Sequence, residues 1–317
     1  MNKSTGIFVV ALTWIFALGM AGVTAQQMGV TSGWKTFGSS GTGADQLSGP
    51  VATATDSHGR IYVVDQGNSR IVRFDNMSGA NWVVFGSYGS GIDQFSSPTG
   101  IAIDSHDRIY VVDAGNNRVV RIDDITGKGW MTFGRQGRGV DELYSPGGIA
   151  LDSQGRIYLT DANNSRVVRI DDMSGKGWTS FGSFGQGTDQ FYGPAGIALD
   201  SQGRIYVTDQ NNNRIVRIDN MKGTTWVSFG SQGLEDNQFY GPLGIAVDGN
   251  GRVYVADPEN NRIERFDDMT GTNWATVGTY GTGTGQLYLP SGVSLDASGK
   301  VYVADTRNAR VVQLTWP

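Results

Sequence analysis

The sequence predicts an all-β fold, a six-bladed β-propeller with four antiparallel strands per blade. Three observations carry this prediction: an unbroken 48-residue repeat, a strand in every repeat that is apolar on both sides, and a spare N-terminal strand matching one missing at the C-terminal end. Trp34, Trp82, Trp130, Trp178, Trp226 and Trp274 mark the repeat, as do Asp56, Asp104, Asp152, Asp200, Asp248 and Asp296. No insertion breaks the register, which is the signature of stacked identical units rather than of one irregular core.

In chain order, residues 1–25 read as an export signal. Lys3 supplies the positive start, an apolar run extends from Ile7 to about Val23, and Val23-Thr24-Ala25 offers small residues for cleavage before Gln26. The apolar run spans about 17 residues, the short limit for crossing a bilayer, so an uncleaved anchor is the competing reading. No later segment is apolar enough to span, and the expected address of residues 26–317, a single domain, is secreted or periplasmic and cell-envelope.

The second unit shows how each repeat is built. Strand a is Gly100–Asp104, the turn Ser105-His106-Asp107 leads to strand b, Arg108–Asp113, and the loop Ala114–Asn117 leads to strand c, Arg118–Ile122. A turn through Gly127 precedes strand d, Trp130–Phe133. β-branched and aromatic residues fill the strands, while Asp, Asn, Ser and Gly fill the gaps. Strand b reads Ile61-Tyr62-Val63-Val64 in one unit and Ile157-Tyr158-Leu159 in another. A sheet with one wet face would alternate apolar and polar residues. Here both faces need cover, which neighbouring blades supply. In strand a, Ile101 and Ile103 flank Ala102, so the large residues are expected between blades and the small one toward the central axis. After Val311–Leu314 no strand d follows, whereas Trp34–Phe37 stands free before the first strand a; pairing them closes the ring. Each blade Trp is expected to bury about 150–250 Å², or roughly 4–6 kcal/mol at ~25 cal/mol per Å².

Composition narrows the function. There are 47 Gly and 8 Pro, fitting many tight turns, and no Cys, which excludes disulfides and thiolate chemistry. The formal charge is −5, becoming −6 if residues 1–25 and their single Lys are removed. Phosphate backbones are bound by clustered Lys and Arg, so nucleic acid is the least favoured partner.

The block Asp113-x-x-Asn116-x-Arg118-Val119 recurs as Asp161-x-x-Asn164-x-Arg166-Val167 and in every other unit. With the Gly-rich loop and the Pro-x-Gly-(Ile/Val)-Ala segment, it resembles the NHL repeat over about residues 34–314. The resemblance implies a six-bladed propeller of a kind used as extracellular sensor domains of bacterial kinases, as RNA- or protein-binding modules, and in a few lyases. It also implies that catalytic relatives place His and a divalent metal, or in propeller lactonases Glu, Asn and Asp, at the central channel. The corresponding mouth positions here are Val51, Thr99, Gly147, Ala195, Leu243 and Ser291, followed inward by Ala52, Gly100, Gly148, Gly196, Gly244 and Gly292. None is ionisable, whereas general acid–base work needs titratable groups within hydrogen-bond reach.

Most repeated residues have a structural explanation. Asp65, Asn68 and Arg70 flank one loop, and a planar guanidinium suits fastening it to a carboxylate; a six-fold chemical site is the rival reading. Asp248-Gly249-Asn250-Gly251 resembles a calcium loop but lacks its further oxygen ligands. The Gly-rich d–a loops, such as Phe181–Gly187, lack the Lys and helix of a phosphate cradle. His58 and His106 share one a–b turn position, far from the expected channel mouth, and no metal or cofactor is expected.

Binding residues are expected where the units differ on the top face, which carries the b–c and d–a loops. Tyr144, Tyr192, Tyr240 and Tyr288 occupy one d–a position in four blades; Tyr88, Phe184 and Tyr280 occupy a second. Asn163, Asn211, Glu259 and Arg307 vary within the b–c loops. Tyr combines rigid apolar area with a hydroxyl and suits peptides or sugars; the alternative is that these rings pack on the next blade. The leading expectation is an exported non-catalytic recognition scaffold for a protein, peptide or glycan. A metal-dependent propeller lyase or hydrolase, and a nucleic-acid-binding propeller, are the alternatives.

Overall fold

The computed structural model describes residues 33–316; the expected export signal lies outside them. Each 48-residue unit folds into a four-stranded antiparallel sheet, and six sheets form the ring. Blade 1 consists of strand a, Pro50–Thr55, strand b, Ile61–Asp65, strand c, Arg70–Phe74, and strand d, Val83–Phe85. Blades 2, 3 and 4 repeat the pattern over residues 98–133, 146–181 and 194–229, and blade 5 over 245–277. Blade 6 takes Pro290–Leu295, Lys300–Asp305 and Arg310–Thr315 from the C-terminal end and Lys35–Phe37 from the N-terminal end. Its register pairs Lys35 with Gln313, Thr36 with Val312 and Phe37 with Val311, so the expected closure forms. No helix among the described residues is long and apolar enough to cross a membrane.

All five positions of strand b are buried in each of the first five blades. The reason is that alternate residues serve different seams. Ile101, Ile109, Val111, Val120 and Ile122 of blade 2 pack on Tyr62, Val64, Ile71 and Phe85 of blade 1. Tyr110, Val112 and Val119 face the other way, onto Ile149, Ile157 and Leu159 of blade 3. The protein therefore has one apolar cluster per seam in place of a single core, as radial stacking requires.

Two expectations need correction. Ala102 does not point at the axis; it packs toward blade 3 with Tyr110 and Val112. Blades splay radially and are closest at their inner strands, so one face of strand a has room only for a small side chain. The crowding peaks one step above, at the neck of the channel. A Cβ on Gly148, Gly196 or Gly292 would lie 2.7, 2.3 or 2.5 Å from the carbonyl oxygen of Ala195, Leu243 or Val51 in the next blade. Second, the blade Trp rings are half-buried and precede strand d, which starts one residue later. They seal the outer part of a seam, as Trp130 does against Phe85 and Phe95, so full burial overstates their contribution. Arg118, Arg166 and Arg214 lie 5.3–5.6 Å from the ring centres of Trp130, Trp178 and Trp226, a cation–π contact of about 0.5–1 kcal/mol each.

Candidate functional site

The top face is assembled by the Asp–Asn–Arg block. The Asp ending each strand b is fully buried. Asp161 accepts the Tyr144 backbone N–H at 2.6 Å, Asn164 Nδ2 at 2.8 Å and Arg166 Nε at 2.7 Å. The rest of the Arg166 fork donates to the carbonyls of Arg138, Gly139 and Glu142, and Asn164 also donates to Gly137 O. All of these acceptors lie in the d–a loop, so the trio locks the b–c and d–a loops together, as expected. Burial pushes the Asp161, Asp209 and Asp305 carboxyls up, while the hydrogen bonds and the Arg pull them back. Each d–a loop also braces itself: Gln46, Gln94, Gln190 and Gln286 accept a backbone N–H three residues earlier. Glu142 does this work in blade 3 and also takes Arg135.

With the loops pinned, the residues that differ between units surround a cavity of about 1000 Å³ at the top of the axis. Its wall includes the mouth positions Val51, Thr99, Gly147, Ala195, Leu243 and Ser291, and the b–c residues Asn163, Asn211, Glu259 and Arg307. Among the described residues of the wall, Glu259 and Arg307 are the sole ionisable ones. The b–c loops are single 3₁₀ turns in five blades; in blade 5 a turn opens at Pro258, whose carbonyl accepts the Asn261 N–H as its counterparts do.

The aromatic candidates sit elsewhere. Tyr88, Phe184 and Tyr280 are 77%, 68% and 67% exposed at d–a loop tips, and Tyr192 and Tyr240 are 43% and 46% exposed. Tyr144 and Tyr288 are half-buried. Phe184 meets Tyr192 edge-on at 5.1 Å, and Tyr280 meets Tyr288 the same way. These partners belong to one loop, not to successive blades. The predicted residues thus divide into a polar inner ring and an aromatic outer fringe. The fringe has members the sequence reading missed: Ile92, Val140 and Leu234 are 73%, 63% and 67% exposed. Their signal was present, since each is a large apolar residue in a Gly-rich loop, and at the position of Ile92 and Val140 other units carry small residues such as Ala44, Thr188 and Thr284.

Two other clusters stand apart. On the bottom face, Asp56, His58 and Asp107 bring ligand atoms within 4.8 Å of one another. Asp107 takes the left-handed position (φ 60°) that Gly fills in other units, and accepts from Ser57. Asp56 is already engaged by His58 N, Arg60 N and Nε, and Tyr62 Oη, and Arg60 lies 4.0 Å from Asp107. These groups fasten the turns of blades 1 and 2, and a cation there would compete with a guanidinium. Burial and the Asp56 charge push the Tyr62 hydroxyl up to about 12. In blade 5, Glu264 is fully buried where the other blades have Val72, Val120, Val168, Val216 and Val312. Arg262 turns toward it, 2.6 Å from Oε1, and stands 3.5 Å from Asp257, the pairing its counterparts keep at 2.6–2.8 Å. Burial, reinforced by the Asp257 charge, pushes the Glu264 carboxyl well above its ordinary range.

Comparison with known proteins agrees with this geometry. The NHL repeat matches residues 95–122, 143–170, 191–218, 239–266 and 287–314. The first unit falls outside the match, and its strand a departs from the pattern, with Ala52-Thr53 in place of Gly-(Ile/Val). Compared directly with curated protein sequences, the chain matches none significantly. Solved structures share the fold at low identity. A virginiamycin B lyase from Staphylococcus aureus is 17% identical over 90% of this chain and 99% of its own, with a TM-score of 0.60. A gluconolactonase from Xanthomonas campestris is 16% identical over 86% of this chain and 88% of its own, with a TM-score of 0.65. An auxiliary nutrient binding protein from Bacteroides thetaiotaomicron is 16% identical over 88% of this chain and 71% of its own, with a TM-score of 0.64. Likeness at this level speaks to fold and leaves chemistry to the residues. Five matched repeats inside a ring of six like blades show that the chain belongs to the NHL-repeat β-propellers.

Proposed function

We propose that the protein is an exported recognition module that takes a protein, peptide or glycan ligand on its top face. One observation carries this reading: the residues that differ between otherwise equivalent blades gather around a single open cavity and its aromatic fringe. Repeated residues there are committed to fastening loops, leaving the variable ones available to a ligand. Concave sites with a few convergent polar groups are the usual form of small-ligand sites, and rigid exposed aromatics add contact area at low entropic cost. The Val23-Thr24-Ala25 segment supports export; N-terminal sequencing of the protein recovered from the cell envelope or medium is expected to begin at Gln26.

The test of recognition is the double variant Tyr192→Ala, Tyr240→Ala, screened with the parent protein on peptide and glycan arrays. Lost binding at an unchanged melting temperature supports the reading. Unchanged binding, or a fall in melting temperature that accounts for the loss, removes the fringe from it.

A further inference from the structure

The chemistry of the cavity wall defines the ligand more narrowly, on the condition that the top face is a recognition surface. At one b–c position the six blades carry Gly67, Gly115, Asn163, Asn211, Glu259 and Arg307. Four are neutral, and the two charged ones are of opposite sign and sit in adjacent blades. The charged groups that flank the b–c loops are matched, as in the Asp161–Arg166 and Asp209–Arg214 pairs. Glu259 and Arg307 are not: among the described residues neither side chain has an ion-pair or hydrogen-bond partner, and the two do not pair with each other, though both are exposed on the wall. Asn163 and Asn211 likewise leave their side-chain amides unengaged among the described residues, each offering donors and an acceptor.

We infer that the cavity binds a short peptide with free ends, its ammonium at Glu259, its carboxylate at Arg307, and its amides at Asn163 and Asn211. Three features favour this ligand. Opposite charges carried by neighbouring blades complement a zwitterion, and a guanidinium can take a carboxylate through two parallel hydrogen bonds. A neutral sugar in the same place would crowd both charges away from water and return no counter-charge to either. The cavity of about 1000 Å³ stands at the upper end of small-ligand sites, roughly 300–1000 Å³, enough for a few residues and too small for a folded chain.

The experiment is equilibrium dialysis of the whole protein against an equimolar tripeptide library with free ends, against the same library acetylated and amidated, and against neutral di- and trisaccharides, read by mass spectrometry. Free-ended members are expected to be retained and blocked ones lost. Glu259→Gln is expected to abolish the preference for a free ammonium, and Arg307→Gln that for a free carboxylate, each weakening retention about tenfold; raised salt is expected to erode both preferences. Equal retention of blocked members, or unchanged retention in both variants, overturns the peptide inference. Retention of a neutral saccharide that Asn163→Ala, Asn211→Ala abolishes also overturns it and leaves the recognition reading standing. Retention of nothing overturns it as well, and the recognition reading is then judged by the tyrosine variants, which lie outside the cavity wall.

Discussion

Arg166 shows what a single repeated residue does here: one guanidinium ties a buried carboxylate to three carbonyls of another loop. Removing one partner of a buried pair typically costs about 3–5 kcal/mol, so Arg166→Ala is expected to lower denaturant stability by that order while Trp178 loses its cation. This role was legible because the Asp, Asn and Arg recur in strict register. Glu264 was not read from the sequence, although it is the one charged residue in a column of Val. Its native pKa is raised, so the native state holds the proton more tightly than the unfolded chain. The resulting stability is complete below the ordinary glutamate value, about 4.5, and fades as pH climbs from there toward the native value. Glu264→Val is therefore expected to raise the melting temperature at neutral pH and to remove this component of its pH dependence. Replacing a buried ionic group by a fitting apolar one often stabilises by about 1–4 kcal/mol, and Arg262 would be free to close on Asp257. A variant with the parent's pH profile would contradict the raised Glu264 pKa.

At the scale of the element, inner strand a sets how tightly the blades converge. Gly196→Ala drives a Cβ to 2.3 Å from the Leu243 carbonyl oxygen, backbone that cannot step aside without moving blade 5. A loss of about 1–3 kcal/mol or more is expected, measured by denaturation. Gly249→Ala is the control: a Cβ there meets nothing within 4 Å, so a neutral or slightly stabilising effect is expected. Strand positions and the two-sided burial of strand b were readable because period and composition agree. The direction of Ala102 was misread because alternation tells which residues share a face, not which face looks at the axis. In a propeller both faces look at neighbours, and the free edge of strand a borders the channel. The division of the candidate residues into inner ring and outer fringe was also beyond the sequence, since it depends on how far each loop leans from the axis.

For the whole molecule, the decisive feature is that blade 6 draws its strands from both ends of the chain. Its seam with blade 1 is bridged by polar contacts: Thr53 Oγ1 meets Ser294 Oγ at 2.7 Å, and Thr306 Oγ1 donates to Pro50 O at 2.7 Å. Deleting residues 1–38 strips the partner from Val311 and Val312 and leaves an open sheet edge, a known route to association. The expected outcome is a lower melting temperature and higher-order species by size-exclusion chromatography. Moving residues 33–38 behind residue 316 through a short linker is expected to restore both. Failure of that rearranged chain to recover would mean that the N-terminal strand does more than fill the gap.

Synthesis order gives this split sheet a further meaning. The ribosome makes Lys35–Phe37 first and Arg310–Thr315 last, and at roughly 5–20 residues per second the early half waits some tens of seconds for the late one. Throughout that interval the nascent polypeptide is an unlatched crescent. The ring can therefore close only once its last strand has been made and has met the strand that was made first.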